Sequence, residues 1–218
     1  MTQLLHLDSS ARSRSYSREL GARFAARWQE AHPDGGYVHR DLARRPVPPI
    51  GEAWTRICDT LLAERITDPA DYPRAVRTPE EREAWTVVEP LLDELVAADL
   101  VLIGAPMYNF GVPAALKAWI DQVTLPRMSL AGTTFVVASA RGGSYVDGAP
   151  RAPYDHQERY LRDFVAGHFG VDDVRFLRTE LTNARVDPLL AELLDAHHAS
   201  YDAGVADADA LAAGVSVR

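Results

Sequence analysis

The sequence predicts an α/β fold in which a doubly wound, five-stranded parallel sheet carries helices on both faces. Three observations point to it. Five short apolar runs alternate along the chain with patterns of helical period, as in βαβ units joined by right-handed crossovers. The central run, Leu100 to Gly104, has no polar alternation, as expected of a parallel strand covered on both sides. The 218 residues suit a single domain over 1–218, with an extended helical and loop segment at about 51–77.

Taken in order, Gln3 to Leu7 is the first strand. The polar loop Asp8-Ser9-Ser10-Ala11-Arg12-Ser13-Arg14 leads into a helix from about Ser15 to Ala31, where Tyr16, Leu20, Phe24 and Trp28 recur every fourth residue as a buried stripe. His32-Pro33-Asp34-Gly35-Gly36 ends it, and Tyr37 to Leu42 is the second strand. Past the turn-rich Arg45-Pro46-Val47-Pro48-Pro49, a helical pattern runs through Trp54, Ile57, Cys58, Leu61 and Leu62, followed by a polar, proline-containing stretch to Arg77. Thr78-Pro79-Glu80-Glu81 is a helix start: Thr78 caps, Pro79 takes the first position and Glu81 closes a capping box. This helix carries Trp85, Val88, Leu92 and Leu95 inward. Pro90 predicts a kink or a break in it, because an interior proline costs roughly 3 kcal/mol.

The central strand is followed by Pro113, suited to a first helical turn, and by the stripe Leu116, Ile120 and Val123. Thr133 to Ala138 is the next strand and Arg141-Gly142-Gly143-Ser144 the loop at its end. Asp155 to Phe169 is helical, with Gly170 as a left-handed terminator. Val174 to Leu177 is the last strand and Asp187 to about Ala213 the closing helix. For five strands the flavodoxin-like order is the natural one.

A net charge of -8 argues against nucleic acid as the main partner, since a phosphate-binding surface needs a basic excess. Cys58 is the single cysteine, so no intramolecular disulfide forms, which fits a reducing cytoplasm. No secretory leader and no membrane-spanning apolar run is visible, so a cytoplasmic protein without a membrane partner is expected.

Three loops follow three strands. Met107 to Gly111 sits at the carboxyl end of the central strand with free backbone N–H groups, suited to the edge of a planar, acceptor-rich heterocycle. Ser9, Ser10, Ser13, Ser15 and Ser17 bring hydroxyls to a helix N-terminus, which is a phosphate cradle in physical terms and equally a set of caps and turn formers. Arg141-Gly142-Gly143 lets backbone approach a ligand, or is a flexible turn. The dinucleotide fingerprint and the P-loop pattern are absent, and Gly142-Gly143-Ser144 fails as a nucleophile elbow because Val146 stands where a glycine is needed. His197 and His198 are adjacent on a helix, poor joint metal ligands and expected at the surface; His6 is expected as a hydrogen-bonded core histidine. No metal site is expected.

Leu7-Asp8-Ser9-Ser10 with Ser15-Tyr16-Ser17, then Ala105-Pro106-Met107-Tyr108-Asn109-Phe110, then Arg141-Gly142-Gly143 resemble, in order and spacing over nearly the whole chain, the FMN-dependent NADH-azoreductase family, whose members also reduce quinones. The resemblance implies that Ser10, Ser15, Tyr16 and Ser17 hold the FMN phosphate. Met107, Tyr108, Asn109 and Phe110 would line the isoalloxazine ring, and Ala140, Arg141, Gly142 and Gly143 would meet its pyrimidine end. It also implies a homodimer with residues of both subunits around each flavin, an arrangement in which Trp54, Trp85 and Trp119 are candidate interface residues. The chain departs from the family in Ala140, where serine is usual, in a short connection over 124–132, and in the longer stretch from about Gly51 to Arg77. Either the pocket is therefore more open, or Trp54, Ile57 and Tyr72 cover it, from the same subunit or the other.

The expected activity is reduction of a quinone, an azo compound or a related flat acceptor by hydride transfer from NADH or NADPH through flavin N5, in a ping-pong cycle. No catalytic side chain is required, because the cofactor carries the chemistry. Donors near N1 and O2, from Arg141 or the 107–110 backbone, would stabilise the reduced anion. The alternatives are a flavodoxin-like electron carrier and a specialised biosynthetic flavin reductase with a dedicated substrate.

Overall fold

In the computed structural model, which describes residues 2–214, five strands form one all-parallel sheet in the order β2-β1-β3-β4-β5. They are β1 (Gln3–Asp8), β2 (Gly36–Asp41), β3 (Leu100–Pro106), β4 (Thr134–Ala140) and β5 (Val174–Thr179). The helices are α1 (Tyr16–Ala31), α2 (Glu52–Glu64), α3 (Pro79–Val96), α4 (Ala114–Val123), α5 (His156–Phe169) and α6 (Leu194–Gly214). The flavodoxin-like order expected for five strands is the one found, with Leu5 opposite Val38 on one side and Val101 on the other.

Strand alternation splits the core in two. Leu5, Leu7, Val101, Ile103, Phe135 and Val137 face α2 to α5, while Leu4, Leu100, Leu102, Val136 and Ala138 face α1 and α6. The amphipathic helices bury the stripes expected of them except at Leu62 of α2, which is exposed, and Tyr16 of α1, which is half-buried; Leu20, Phe24 and Trp28 of α1 are fully buried. Trp85 and Trp119 also lie in the core, and Trp54 packs against it with its indole N–H on the Gln122 carbonyl at 3.2 Å. The tryptophans are thus accounted for within the domain and give no argument for an interface.

Local chemistry sets the helix ends. The Thr78 capping box forms as expected, and Gly170 terminates α5 at φ 70°. Two boundaries differ from the sequence expectation. α3 runs through Pro90 without a break, because Pro90 and Thr86, four residues back, lie on the exposed face where water can take the freed carbonyl. The closing helix begins at Leu194 rather than Asp187: Asp187 caps a 3-10 segment, Pro188–Leu193, by accepting from Leu189 N–H at 3.0 Å. His197 is buried, correcting its expected surface position.

The segment from 51 to 77 folds onto its own domain. Ile57 and Tyr72 are core residues, the Tyr72 hydroxyl donating to the Thr67 carbonyl at 3.2 Å.

α6 passes close to β5 at Gly204, where an added Cβ would stand 2.5 Å from the Arg178 carbonyl oxygen. A glycine-to-alanine change in a helix ordinarily gains about 1 kcal/mol in propensity, but here the obstacle is backbone and α6 must move. Gly204→Ala is expected to destabilise the fold by about 1–3 kcal/mol, read as a lower urea midpoint; a higher midpoint would show that α6 shifts freely.

Candidate functional site

A parallel sheet sends all its strands to one edge, and the sequence order reverses between β1 and β3. There the loops after β1, β3, β4 and β5 enclose a cleft of about 630 Å³, within the range of roughly 300–1,000 Å³ typical of small-molecule sites.

The loop after β1 is tied down at both ends. Ser9 donates to the Gly104 carbonyl through both its N–H (3.0 Å) and its hydroxyl (2.7 Å). Arg18, one turn into α1, donates to the Ser10 carbonyl at 2.7 Å, the Arg12 carbonyl at 2.9 Å, Asp8 at 3.1 Å and both oxygens of Asp41 at 2.8 and 2.9 Å. With its carbonyls thus held, the loop presents Ser10 and Ser15 to the cleft beside the start of α1. Ser15 caps that helix, accepting from Arg18 N–H at 3.3 Å, and the first-turn N–H groups of Tyr16 and Ser17 have no intrahelical partner. Hydroxyls and a helix N-terminus converge, the arrangement that binds a phosphate dianion.

The loop after β3 is a tight turn. Tyr108 and Gly111 exchange N–H···O bonds of 3.1 and 3.0 Å around Asn109 (φ 49°) and Phe110 (φ 67°). Left-handed backbone suits asparagine but costs phenylalanine about 1–2 kcal/mol. Met107 N–H on the Ala140 carbonyl (2.8 Å) and Gln157 on the Pro106 carbonyl (2.9 Å) hold the turn against β4 and α5. Among the described residues the N–H groups of Asn109, Phe110, Gly142 and Gly143 form no hydrogen bond. They border the cleft as donors for an acceptor-rich ring edge.

Ten of the twelve residues singled out from the sequence line this cleft: Ser10, Ser15, Tyr16, Met107, Tyr108, Asn109, Phe110, Ala140, Gly142 and Gly143. Two do not. Ser17 is fully buried with its hydroxyl 3.1 Å from that of Ser15. Arg141 is 2% exposed, and its guanidinium donates to Asp155 at 2.6 Å and Glu158 at 2.9 Å and lies 3.5 Å from Glu180. A donor role for the Arg141 side chain toward a ligand is therefore corrected. Burial alone would raise Glu158, yet Arg178, Arg162 and Arg141 outweigh it and hold that carboxyl at about 2. Glu180 in turn accepts from Ser144 hydroxyl (2.8 Å) and Tyr145 N–H (3.0 Å), so Arg141 braces the loop from behind.

The loop after β5 escaped the sequence reading. Thr182, Asn183, Arg185 and Val186 line the cleft, and Asn183 N–H reaches the Gly142 carbonyl at 3.2 Å. Only the polar run after the last strand signals it. Tyr145 and Arg151 were missed likewise, lying beyond the Arg-Gly-Gly motif. His197 Nδ1 faces the Glu180 carbonyl (2.9 Å), which can only accept, so Nδ1 carries the proton; Nε2 is 2.9 Å from the Tyr16 hydroxyl. No residue of the 51–77 segment lines the cleft, which within one protomer is open.

His6 lies behind the first loop, its Nδ1 2.9 Å from the Tyr37 hydroxyl, as a hydrogen-bonded core histidine. Burial, against the opposing attraction of Asp8, lowers its pKa from 6.5 to about 4. The unfolded chain then binds the extra proton between those values, so this stability is present above pH 6.5 and lost as pH falls toward 4. The shift corresponds to up to about 3 kcal/mol. His6→Asn should flatten the pH 4–6.5 dependence of urea stability; an unchanged slope would assign the dependence to other groups.

Comparison with known proteins agrees with this geometry. The family described as "Flavodoxin-like fold" matches residues 2–203. An FMN-dependent NADH:quinone oxidoreductase of Nocardia farcinica is 62% identical over 95% of this chain and 94% of its own. One of Streptomyces avermitilis is 39% identical over 97% and 96%. Among solved structures, the azoreductase AzrA has a TM-score of 0.78 at 25% identity, covering 98% of this chain and all of that one. An FMN-dependent NADH-azoreductase from Bacillus anthracis, solved in complex with FMN, has a TM-score of 0.74 at 18% identity, covering 97% of this chain and 100% of that one, and shows the shared fold.

Proposed function

Since the chain belongs to the FMN-dependent NADH:quinone oxidoreductases of flavodoxin-like fold, we propose that its open cleft receives NADH and then a quinone or azo compound in turn, in a ping-pong cycle. The observation that carries this reading is the pairing, in one cleft, of a phosphate cradle at the start of α1 with unpaired backbone donors at the 107–110 and 142–143 loops. FMN, when bound, accepts hydride from NADH and passes it to the acceptor, so the protein needs no nucleophile or general base. A flavodoxin-like electron carrier is set aside in favour of an enzyme on the identity to named oxidoreductases over nearly the full chain.

Each loop has a distinct task in this reading. Ser10 and Ser15 donate hydroxyls to the phosphate, and Tyr16 and Ser17 donate backbone N–H; Ser17 acts through its amide because its hydroxyl is buried against Ser15. Met107, Tyr108, Asn109 and Phe110 form the wall for the flat ring. The N–H groups of Asn109, Phe110, Gly142 and Gly143 meet its polar edge, where negative charge develops on reduction. Ala140 contributes backbone alone, and Arg141 acts only by bracing its loop. The open side leaves room for a flat substrate against Phe110 and Tyr145.

A homodimer and a cytoplasmic location belong to the same proposal. A second hollow of about 650 Å³, lined by Tyr108, Gly111, Val112 and Tyr160, lies on the outer side of the turn and supports a subunit contact next to the cleft. The lone, buried Cys58, its thiol pushed up to about 12 by burial, suits a reducing compartment.

The direct test is oxidation of NADH by FMN-loaded protein with an uncharged benzoquinone; no turnover would refute the reading. Ser10→Ala should raise the FMN Kd about tenfold or more, since a hydrogen bond to a charged group is worth roughly 1.5–3 kcal/mol, with little change in apoprotein Tm. Unchanged affinity would remove Ser10 from the phosphate site. Arg18→Ala should both weaken FMN binding and lower apoprotein Tm, because it frees the loop, takes the guanidinium from buried Asp8 and removes the bidentate partner of half-buried Asp41. A lower Tm with unaltered Kd would limit Arg18 to a structural role.

A further inference from the structure

We propose that Arg151 and Arg185 form an anion-binding rim over the β4 end of the cleft, selecting flat aromatic molecules that carry a sulfonate, carboxylate or phosphate. The inference rests on the reading of the cleft as the site where donor and acceptor exchange hydride, and it names a charge class for what enters.

The chain carries a net charge of -8 and at long range repels anions. Most of its basic side chains are spent on carboxylates: Arg23 on Asp209, Arg40 on Glu94, Arg162 and Arg178 on Glu158. Arg12, Arg14, Arg151 and Arg185 line the cleft, and among the described residues none of them forms an ion pair; Arg12 and Arg14 belong to the first loop beside the phosphate cradle, which leaves Arg151 and Arg185 for the other side. An exposed arginine needs no partner, so this alone would decide nothing. Their surroundings do. Arg151 lies across Gly143, where an added Cβ would meet its Cδ at 3.1 Å and Nη1 at 3.2 Å, so the glycine makes room for the guanidinium at the loop. Arg185 ends the short 3-10 turn Thr182–Arg185, whose Asn183 sits in the same way over Gly142.

The same cleft and its margin carry planar and apolar surfaces. Phe110 is 40% exposed and lies 6.4 Å from Tyr145 and 5.5 Å from Tyr154, and Val186, next to Arg185, is 73% exposed. The acidic lining residue Glu19 belongs to α1, beside the phosphate cradle. Flat walls with guanidinium forks at their edge fit an aromatic anion better than a neutral ring, because arginine stacks on planar groups and pairs with anionic oxygens in bidentate fashion.

The anion could belong to the acceptor or be a phosphate of the hydride donor, and the experiment separates them. FMN-loaded protein is titrated with redox-inert naphthalene-2-sulfonate and with its uncharged analogue naphthalene-2-sulfonamide, following flavin absorbance. In Arg151→Gln/Arg185→Gln, the sulfonate Kd should rise about tenfold, as expected of two solvent-exposed charge pairs, and the sulfonamide Kd less than twofold. The sulfonate difference should shrink in high salt. Equal changes for both compounds, or none for the sulfonate, would overturn the rim. Steady-state kcat/KM for NADH and for a sulfonated naphthoquinone, each relative to an uncharged benzoquinone, then identifies the source: whichever falls supplies the anion, and a fall in neither overturns a role in turnover. If the unmutated protein fails to oxidise NADH with benzoquinone, the functional reading fails, while the titration still decides the rim.

Discussion

One constraint organises the molecule: in a parallel sheet every strand delivers its loop to the same edge, and reversal of the order between β1 and β3 sends the following helices to opposite faces. α1 leaves toward the face it shares with α6, whereas α4 leaves toward the face covered by α2 to α5. The two loops cannot pack together, and the gap between them is the cleft. A helix N-terminus opens on one side of it and a tight backbone turn on the other, so donors of two kinds face one space without any side chain having been recruited for acid–base work.

Because those loops leave the sheet unpaired, something must stiffen them, and two arginines do it, Arg141 buried and Arg18 half-buried. Arg18 holds the carbonyls of Ser10 and Arg12 from beneath the first loop; Arg141, through Asp155, Glu158 and Glu180, holds the third from behind. A buried charge is costly unless paired and hydrogen-bonded, and here several carboxylates meet each guanidinium. The second loop is fixed differently, by Gln157 and by the mutual bonds of Tyr108 and Gly111, which keep Phe110 in a left-handed conformation that its side chain disfavours. That conformation leaves two amide N–H groups without a hydrogen bond beside the cleft and the phenylalanine ring exposed at its rim.

Most of the fold was legible because its signals are local or periodic. Leu100 to Gly104 lacks a polar position, Leu20, Phe24 and Trp28 repeat every fourth residue, and Thr78 with Glu81 spells a capping box; none of these needs knowledge of the tertiary structure. Pro90 misled because Val88, Leu91, Leu92 and Leu95 on either side of it are buried in the core and hold the helix across it, and such tertiary packing is not written in the local sequence. The same limit governed the site. Motifs at the ends of β1, β3 and β4 marked ten lining residues, but the loop after β5 carries no motif, and His197 reaches Tyr16 only because α6 packs beside α1.

Arginine shows the limit most clearly. Lys117 is the sole lysine, so nearly every cation in the chain is a guanidinium, and residue type distinguishes none of their tasks. Arg18, half-buried, and Arg141, buried, are structural clamps, Arg23 and Arg40 are partners of carboxylates, and Arg12, Arg14, Arg151 and Arg185 stand at the cleft. What separates them is the number of carboxylates within reach. Around Arg141 there are three, enough to compensate a desolvated charge, so the side chain turns inward and only its loop's backbone faces the cleft. Among the described residues Arg151 has none, so the charge stays in water and remains available to whatever enters. The Arg-Gly-Gly motif therefore points to the right loop and the wrong atoms: its glycines border the cleft, its arginine supports them from behind, and the cations that line the cleft lie outside the motif.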